Sequence, residues 1–219
     1  PNIFSKTLNK ISWKNIMNAS DAPLLNRPIK GLYPPGSTFK PVVALAALKH
    51  GLISSSDKIF CNGTYALGNR NFHCWKKGGH GNLNLIDGIA QSCDVYFYEV
   101  AKKLGVDRLS KTAKKFGLGK KVLDGFTEER SGVVPNTLWK KKFIGQNWYI
   151  GETLHSGIGQ GYFQSTPIQL CLMTAQIANG GYKIDPRIIF EKRDNDLRDY
   201  IKHKNEKPNE SLPTNLLLK

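Results

Sequence analysis

A serine and a lysine three residues apart, in Ser37-Thr38-Phe39-Lys40, supply a hydroxyl and an amine that one helical turn brings onto one face. A serine hydroxyl attacks poorly until a base takes its proton, and a partly desolvated lysine can be that base. Amide donors and partial positive charge at a helix start favour the oxyanion that acyl transfer develops. A second set of residues has different chemistry. Cys61, Cys74, His80 and Cys93 are spaced Cys-x12-Cys-x5-His-x12-Cys, and three thiolates with one imidazole suit tetrahedral zinc. The spacing is not that of a standard finger, so a Cys61–Cys74 disulfide is the rival reading and His73 an alternative ligand. The fourth cysteine, Cys171 in Leu170-Cys171-Leu172-Met173, reads as a buried apolar residue.

The elements that must position these groups are mostly helical. The pattern predicts a helix from Ser37, as N-cap, to Leu48, with Pro41 in the first turn and Gly51 as its stop. Residues 54–84 read as a long connection with little periodicity, of the kind that needs a staple or a function to justify its ordering. Helical spacing returns over 85–91 and 95–104, and Asp107 is positioned to cap a further helix to Phe116. Residues 117–163 read as loops with short strands at most. Thr166-Pro167-Ile168-Gln169 carries three agreeing helix-start signals, and Asn179-Gly180-Gly181 is a good stop. Residues 1–36 read as an irregular lead-in, and 191–219 as a charged, poorly patterned and mobile segment.

The composition is that of a globular chain. Of 219 residues, 40% are hydrophobic and 22% charged, too apolar for a disordered protein, and the formal net charge is +15. No apolar run approaches the ~20 residues of a membrane helix. The first residue is Pro1, which suggests a piece of something longer. An excess of lysine permits an acidic partner. The rival this raises is a basic, zinc-containing nucleic-acid-binding protein, but the lysine pairs read better as solvated surface and no nucleic-acid-binding spacing occurs, so no nucleic acid partner is expected. Gly31-x4-Gly36-Ser37-Thr38 lacks the lysine of a phosphate-binding loop.

Tyr33-Pro34-Pro35-Gly36-Ser37-Thr38-Phe39-Lys40-Pro41 resembles the nucleophile segment of the penicillin-binding transpeptidases. Ser92-Cys93-Asp94, 55 residues after Ser37, resembles the S-x-D second motif of the elongation-specific branch; most of the family carries Asn at the third position. Further matching segments are Trp75-Lys76-Lys77-Gly78-Gly79-His80-Gly81, Asp94-Val95-Tyr96-Phe97-Tyr98, Glu128-Glu129-Arg130-Ser131-Gly132 and Gly157-Ile158-Gly159-Gln160-Gly161. The resemblance covers most of residues 23–190. It implies an α+β fold like that of serine β-lactamases and penicillin-binding transpeptidases, of which this chain holds mainly the helical half: a partial transpeptidase domain over 1–190, followed by the charged segment 191–219.

The resemblance also implies an activity. Ser37 would be acylated by the D-Ala-D-Ala stem peptide of peptidoglycan to cross-link cell wall, and by β-lactam antibiotics. Lys40 would be its base and Ser92 a proton relay. Asp94 would hold Lys40, although a carboxylate there favours a charged lysine. Gly157, Gly159 and Gln160 would line the substrate site. Some relatives bind zinc through Asp, Asp, His and Cys at positions matching Cys61, Cys74, His80 and Cys93, which implies structural zinc here, with cysteine in place of both aspartates. The setting implied is the periplasmic face of the bacterial inner membrane, with elongation-machinery membrane proteins as partners. The family's third motif, K-[ST]-G, occurs nowhere in the 219 residues. The expectation is therefore that they are inactive by themselves, with a catalytically silent binding module as the alternative.

Overall fold

A computed structural model of the chain describes residues 7–187. In chain order the elements are α1 (Lys10–Met17), α2 (Arg27–Lys30), a 3-10 turn (Gly36–Phe39), α3 (Lys40–Lys49), β1 (Ile59–Cys61), β2 (Thr64–Leu67), β3 (Arg70–His73), β4 (Gly81–Leu83), α4 (Leu85–Ala90), α5 (Asp94–Leu104), α6 (Val106–Lys115), α7 (Thr137–Ile144), α8 (Ile150–Gly157) and α9 (Pro167–Ala178). Helices dominate, as expected, and the strands form two separate antiparallel pairs. Among the described residues no helix is long and apolar enough to cross a membrane.

At the centre lies α3. Val42, Val43, Ala44, Leu45, Ala46 and Ala47 are all fully buried, as a helix apolar on every side must be. Small alanines let α5 and α6 approach it closely, and α5 contributes the buried Tyr96, Phe97 and Val100 to the same core. On its other side α5 meets α8 at Gly157, where an added Cβ would fall 2.3 Å from the Cα-bonded methyl of Ala101. Glycine is required there because the two backbones touch. Phe39 and Phe163, rings 4.5 Å apart, seal the end of α3 that carries Lys40.

Several expectations are corrected. Residues 54–84 are not an unpatterned connection: β1 pairs with β4, and the β2–β3 hairpin is nested between them. The 117–163 stretch contains two helices. Asn136 caps α7 by accepting from the Trp139 N–H at 2.7 Å, and Glu152 stabilises the start of α8 by accepting from the Tyr149 N–H at 2.8 Å. The lead-in forms α1, capped by Asn9, whose side chain accepts from the Ser12 N–H. Ser37 is not an N-cap: it lies inside the 3-10 turn, and α3 begins only at Lys40. Asp107 lies within α6, after the Gly105 cap, and its carboxylate accepts instead from Thr137 at the start of α7. Cys171 is exposed, because α9 turns that position outward. The start of α9 is as expected, with Thr166 and Gln169 bonded reciprocally. The expected charged segment 191–219 lies outside the described residues.

The α5–α8 contact yields a stability test. Gly157→Leu should cost about 1–3 kcal/mol by overpacking, read as a lower midpoint in urea unfolding. A wild-type midpoint would mean that the helices separate without loss.

Candidate active site

Lys40 opens α3 with its side chain almost wholly buried, 2% exposed. Its Nζ donates to the Ser92 carbonyl oxygen at 2.8 Å, to Ser92 Oγ at 3.0 Å and to Asp94 Oδ1 at 2.7 Å. Those three acceptors match the three protons of an ammonium. The Phe97 ring lies 5.6 Å below the same nitrogen. A buried ammonium is tolerable only when paired and fully hydrogen-bonded, and segment 92–94 supplies everything this one needs.

That segment is held under constraint. Ser92 has φ +50°, a left-handed conformation rare outside glycine, which turns its hydroxyl and its carbonyl towards Lys40. Cys93 is fully buried and caps α5, its sulfur accepting from the Tyr96 N–H at 3.4 Å. Asp94 lies in the first turn of α5, where the helix dipole favours a carboxylate. Its second oxygen accepts from the Trp75 N–H at 3.0 Å.

Ser37, exposed in the 3-10 turn, shares an open cleft of about 570 Å³ with Ser92, Asp94, Trp75, Tyr98 and Gln160. The turn is fixed from behind. Gly36 N–H donates to the Gly159 carbonyl at 2.9 Å, and any Cβ on Gly159 would meet the Gly36 oxygen at 2.3 Å. Of the glycine segment expected at the substrate, Gln160 and Ile158 therefore line the cleft. Gly159 supports the serine's turn, and Gly157 is buried against α5. Trp75 is the residue whose role spacing did not reveal: besides its amide bond to Asp94, its indole N–H donates to the Gln91 carbonyl at 3.1 Å.

The cysteine set converges immediately behind this cleft. The ligand atoms of Cys61, Cys74, His80 and Cys93 all lie within 4.8 Å of one another. His80 Nδ1 is 3.6 Å from the sulfurs of both Cys61 and Cys74, and the Cys74 and Cys93 sulfurs are 4.0 Å apart. Tetrahedral zinc, with bonds of about 2.3 Å to sulfur and 2.0 Å to nitrogen, needs edges of about 3.5 Å and 3.8 Å, so the donor set fits. Burial, with Lys76 next, holds the His80 imidazole below its usual range, in the neutral form that ligates. Burial raises the Cys74 thiol, but amides of Lys76, Val95 and Asp94 pointing at the sulfur outweigh it and the net shift is downward. All four cysteines of the chain are free, and His73 is not in the cluster.

A model of the penicillin binding protein transpeptidase domain matches residues 4–215. The chain belongs to that family. The peptidoglycan D,D-transpeptidase MrdA of Escherichia coli K12 is 38% identical over 192 residues, covering 87% of this chain and 30% of the relative. MrdA of Acinetobacter baumannii is 37% identical over 191 residues, covering 86% and 28%. Among solved structures, Pseudomonas aeruginosa PBP2 in complex with WCK 5153 superposes with a TM-score of 0.79 at 45% identity, over 85% of this chain and 41% of that one. The Helicobacter pylori complex of PBP2 with MreC gives 0.75 at 39%, over 79% and 33%. The chain thus spans about 30% of the length of the curated transpeptidases it matches, and its mixed helix and strand content is that of the penicillin-binding fold.

Asp94→Ala would strand the Lys40 ammonium in the core, and breaking a buried pair in this way costs about 3–5 kcal/mol. Asp94→Asn keeps an oxygen acceptor and should cost clearly less. Urea unfolding of the two variants reads the difference; equal losses would mean that the retained oxygen acceptor contributes nothing and the charge alone matters.

Proposed function

We propose that this chain carries the nucleophile, base and relay of a peptidoglycan D,D-transpeptidase of the PBP2 kind. The observation that supports this most is the Lys40 ammonium, buried at the first turn after Ser37 and bonded to both Ser92 and Asp94. In the proposed reaction Ser37 Oγ forms a bond to the carbonyl carbon of the penultimate D-alanine of a stem peptide, and the bond to the terminal D-alanine nitrogen breaks. Lys40, deprotonated, takes the serine proton, and Ser92 passes a proton to the leaving amine. An amine of a second stem peptide then displaces Ser37 and restores the hydroxyl. A β-lactam carbonyl enters by the same first step. Gln160 and Trp75 flank the acyl group across the cleft. The working site is the periplasmic face of the inner membrane, beside membrane proteins of the elongation machinery; MreC in the Helicobacter pylori complex is the model for such a partner.

Fluorescent penicillin tests the assignment of the nucleophile. A protein carrying these residues together with a K-[ST]-G motif should be labelled on the peptide bearing Ser37, and Ser37→Ala should abolish the band. Label on another serine would overturn it. The 219 residues by themselves, without the K-[ST]-G strand that supplies one oxyanion amide in relatives, are expected to stay unlabelled, since loss of one such donor typically costs ~10²–10³ in rate.

We also propose that Cys61, Cys74, His80 and Cys93 hold one structural zinc ion. Bound there, the metal would supply only a cross-link, since four protein ligands leave no open position. The link would join the ends of β1 and β3 and the start of β4 to Cys93, between Ser92 and Asp94. Metal analysis should find one zinc per chain. Chelation should expose three more titratable thiols and lower the melting temperature. Thiols fully titratable before chelation, with no zinc present, would defeat this reading.

A further inference from the structure

A second cavity, of about 610 Å³, opens between the end of α6, loop 117–126 and residues 183–187, and shares no lining residue with the Ser37 cleft. Its rim carries Lys114, Lys115, Lys120, Lys121, Lys183 and Arg187, against the two carboxylates Asp124 and Asp185. The floor is apolar, built from Val122, Leu172 and the backbone of Gly117, where a Cβ would strike Leu172 at 2.9 Å. Lys114 and Lys115 have an ordinary explanation, since cations at the end of α6 offset its dipole. The other four cations lie outside that helix.

The wall presenting Lys120 and Lys121 is rigid. Gln169, fully buried, donates its amide to the Lys120 carbonyl at 2.7 Å and to the Ser131 carbonyl at 2.8 Å. The buried Glu129 carboxylate accepts from the Val122 and Leu123 amides at 2.8 and 2.9 Å. Lys121 Nζ donates to the Thr127 carbonyl at 2.7 Å. Opposite, Ile184 N–H donates to Gln176, whose amide is bonded to the Phe116 carbonyl. Lys183 is paired with Asp185 at 3.0 Å, so on these two walls the backbone-held Lys120 and Lys121 carry the excess of positive charge. Burial, then a side-chain hydrogen bond with Lys49 and repulsion from Lys49 and Lys111, lowers the Lys115 amine.

We propose that this cavity binds a phosphate-bearing anion, its charge met by the rim lysines and its adjoining carbon skeleton by the Val122–Leu172 floor. Several lysines around one cavity suit a multivalent anion, and lysine contacts phosphate as a point charge. A soluble phosphate ester and an anionic lipid headgroup share that chemistry.

The probes are inorganic pyrophosphate, followed by calorimetry at low salt, and vesicles of phosphatidylglycerol with phosphatidylcholine, followed by co-sedimentation. The wild-type chain should bind at least one of them, more weakly as salt rises. Binding to pyrophosphate indicates a soluble source, and binding to vesicles alone a lipid one. Lys114→Glu/Lys120→Glu should weaken binding about tenfold or more. Lys141→Glu/Lys142→Glu, an equal charge change on exposed residues of α7, should leave it unchanged. If the first pair lowers the melting temperature, Lys114→Gln/Lys120→Gln takes its place. No binding of either probe by the wild type, or equal weakening by both pairs, overturns the proposal.

Discussion

The structure is organised around one buried charge. Lys40 sits at the head of α3, whose residues 42–47 are fully buried, and there an unpaired ammonium would cost several kcal/mol. Three acceptors remove that cost, and all three belong to Ser92 and Asp94. The chain must therefore deliver a distant segment to the start of α3 and hold it in a conformation that Ser92 alone would not choose. Cys93 can stay buried between its two polar neighbours because its sulfur caps α5. Trp75 reaches Asp94 from outside because β3 ends where it does. The paired strands of 59–83 are thus the outer support of an ion pair, and the proposed zinc site would tie that support to its load.

What could be read from sequence follows from how local each signal is. Ser37, Lys40, Ser92 and Asp94 lie in short segments whose residue types carry their chemistry with them; Ser37, Ser92 and Asp94 line one cleft, and Lys40 lies buried behind it, bonded to the last two. The α9 start was legible because Thr166 and Gln169 bond within one turn. The strands were not, because three or four residues are too few to show an alternation. One clue was available: Gly68-Asn69 is a two-residue hairpin turn, and Gly68 has φ +55°. Among helices, α7 is hidden by Lys140, which reads as part of a solvated lysine run. It is 1% exposed, bonded to Glu152 at 2.5 Å and set against the Tyr149 ring at 4.6 Å. Only tertiary structure makes a lysine into a core residue, and no periodicity counts it as one. The converse error is Cys171, apolar by type and neighbours yet turned to solvent.

The Lys40–Asp94 pair presents a difficulty for the proposed chemistry, and the geometry contains a way through it. A carboxylate lies 2.7 Å from the amine, whereas the proposed base must be neutral. The two partners are not equally enclosed, however: Lys40 is 2% exposed and Asp94 14%. When Lys40 gives up a proton, Asp94 keeps the Trp75 amide, and solvent in the open cleft can replace the donor it loses. Lys40 has no such recourse, and in the proposed mechanism it exchanges protons through Ser92, whose hydroxyl can reverse from acceptor to donor. In the proposed mechanism, the activation of Ser37 therefore depends on the exposure of Asp94 as well as on its charge.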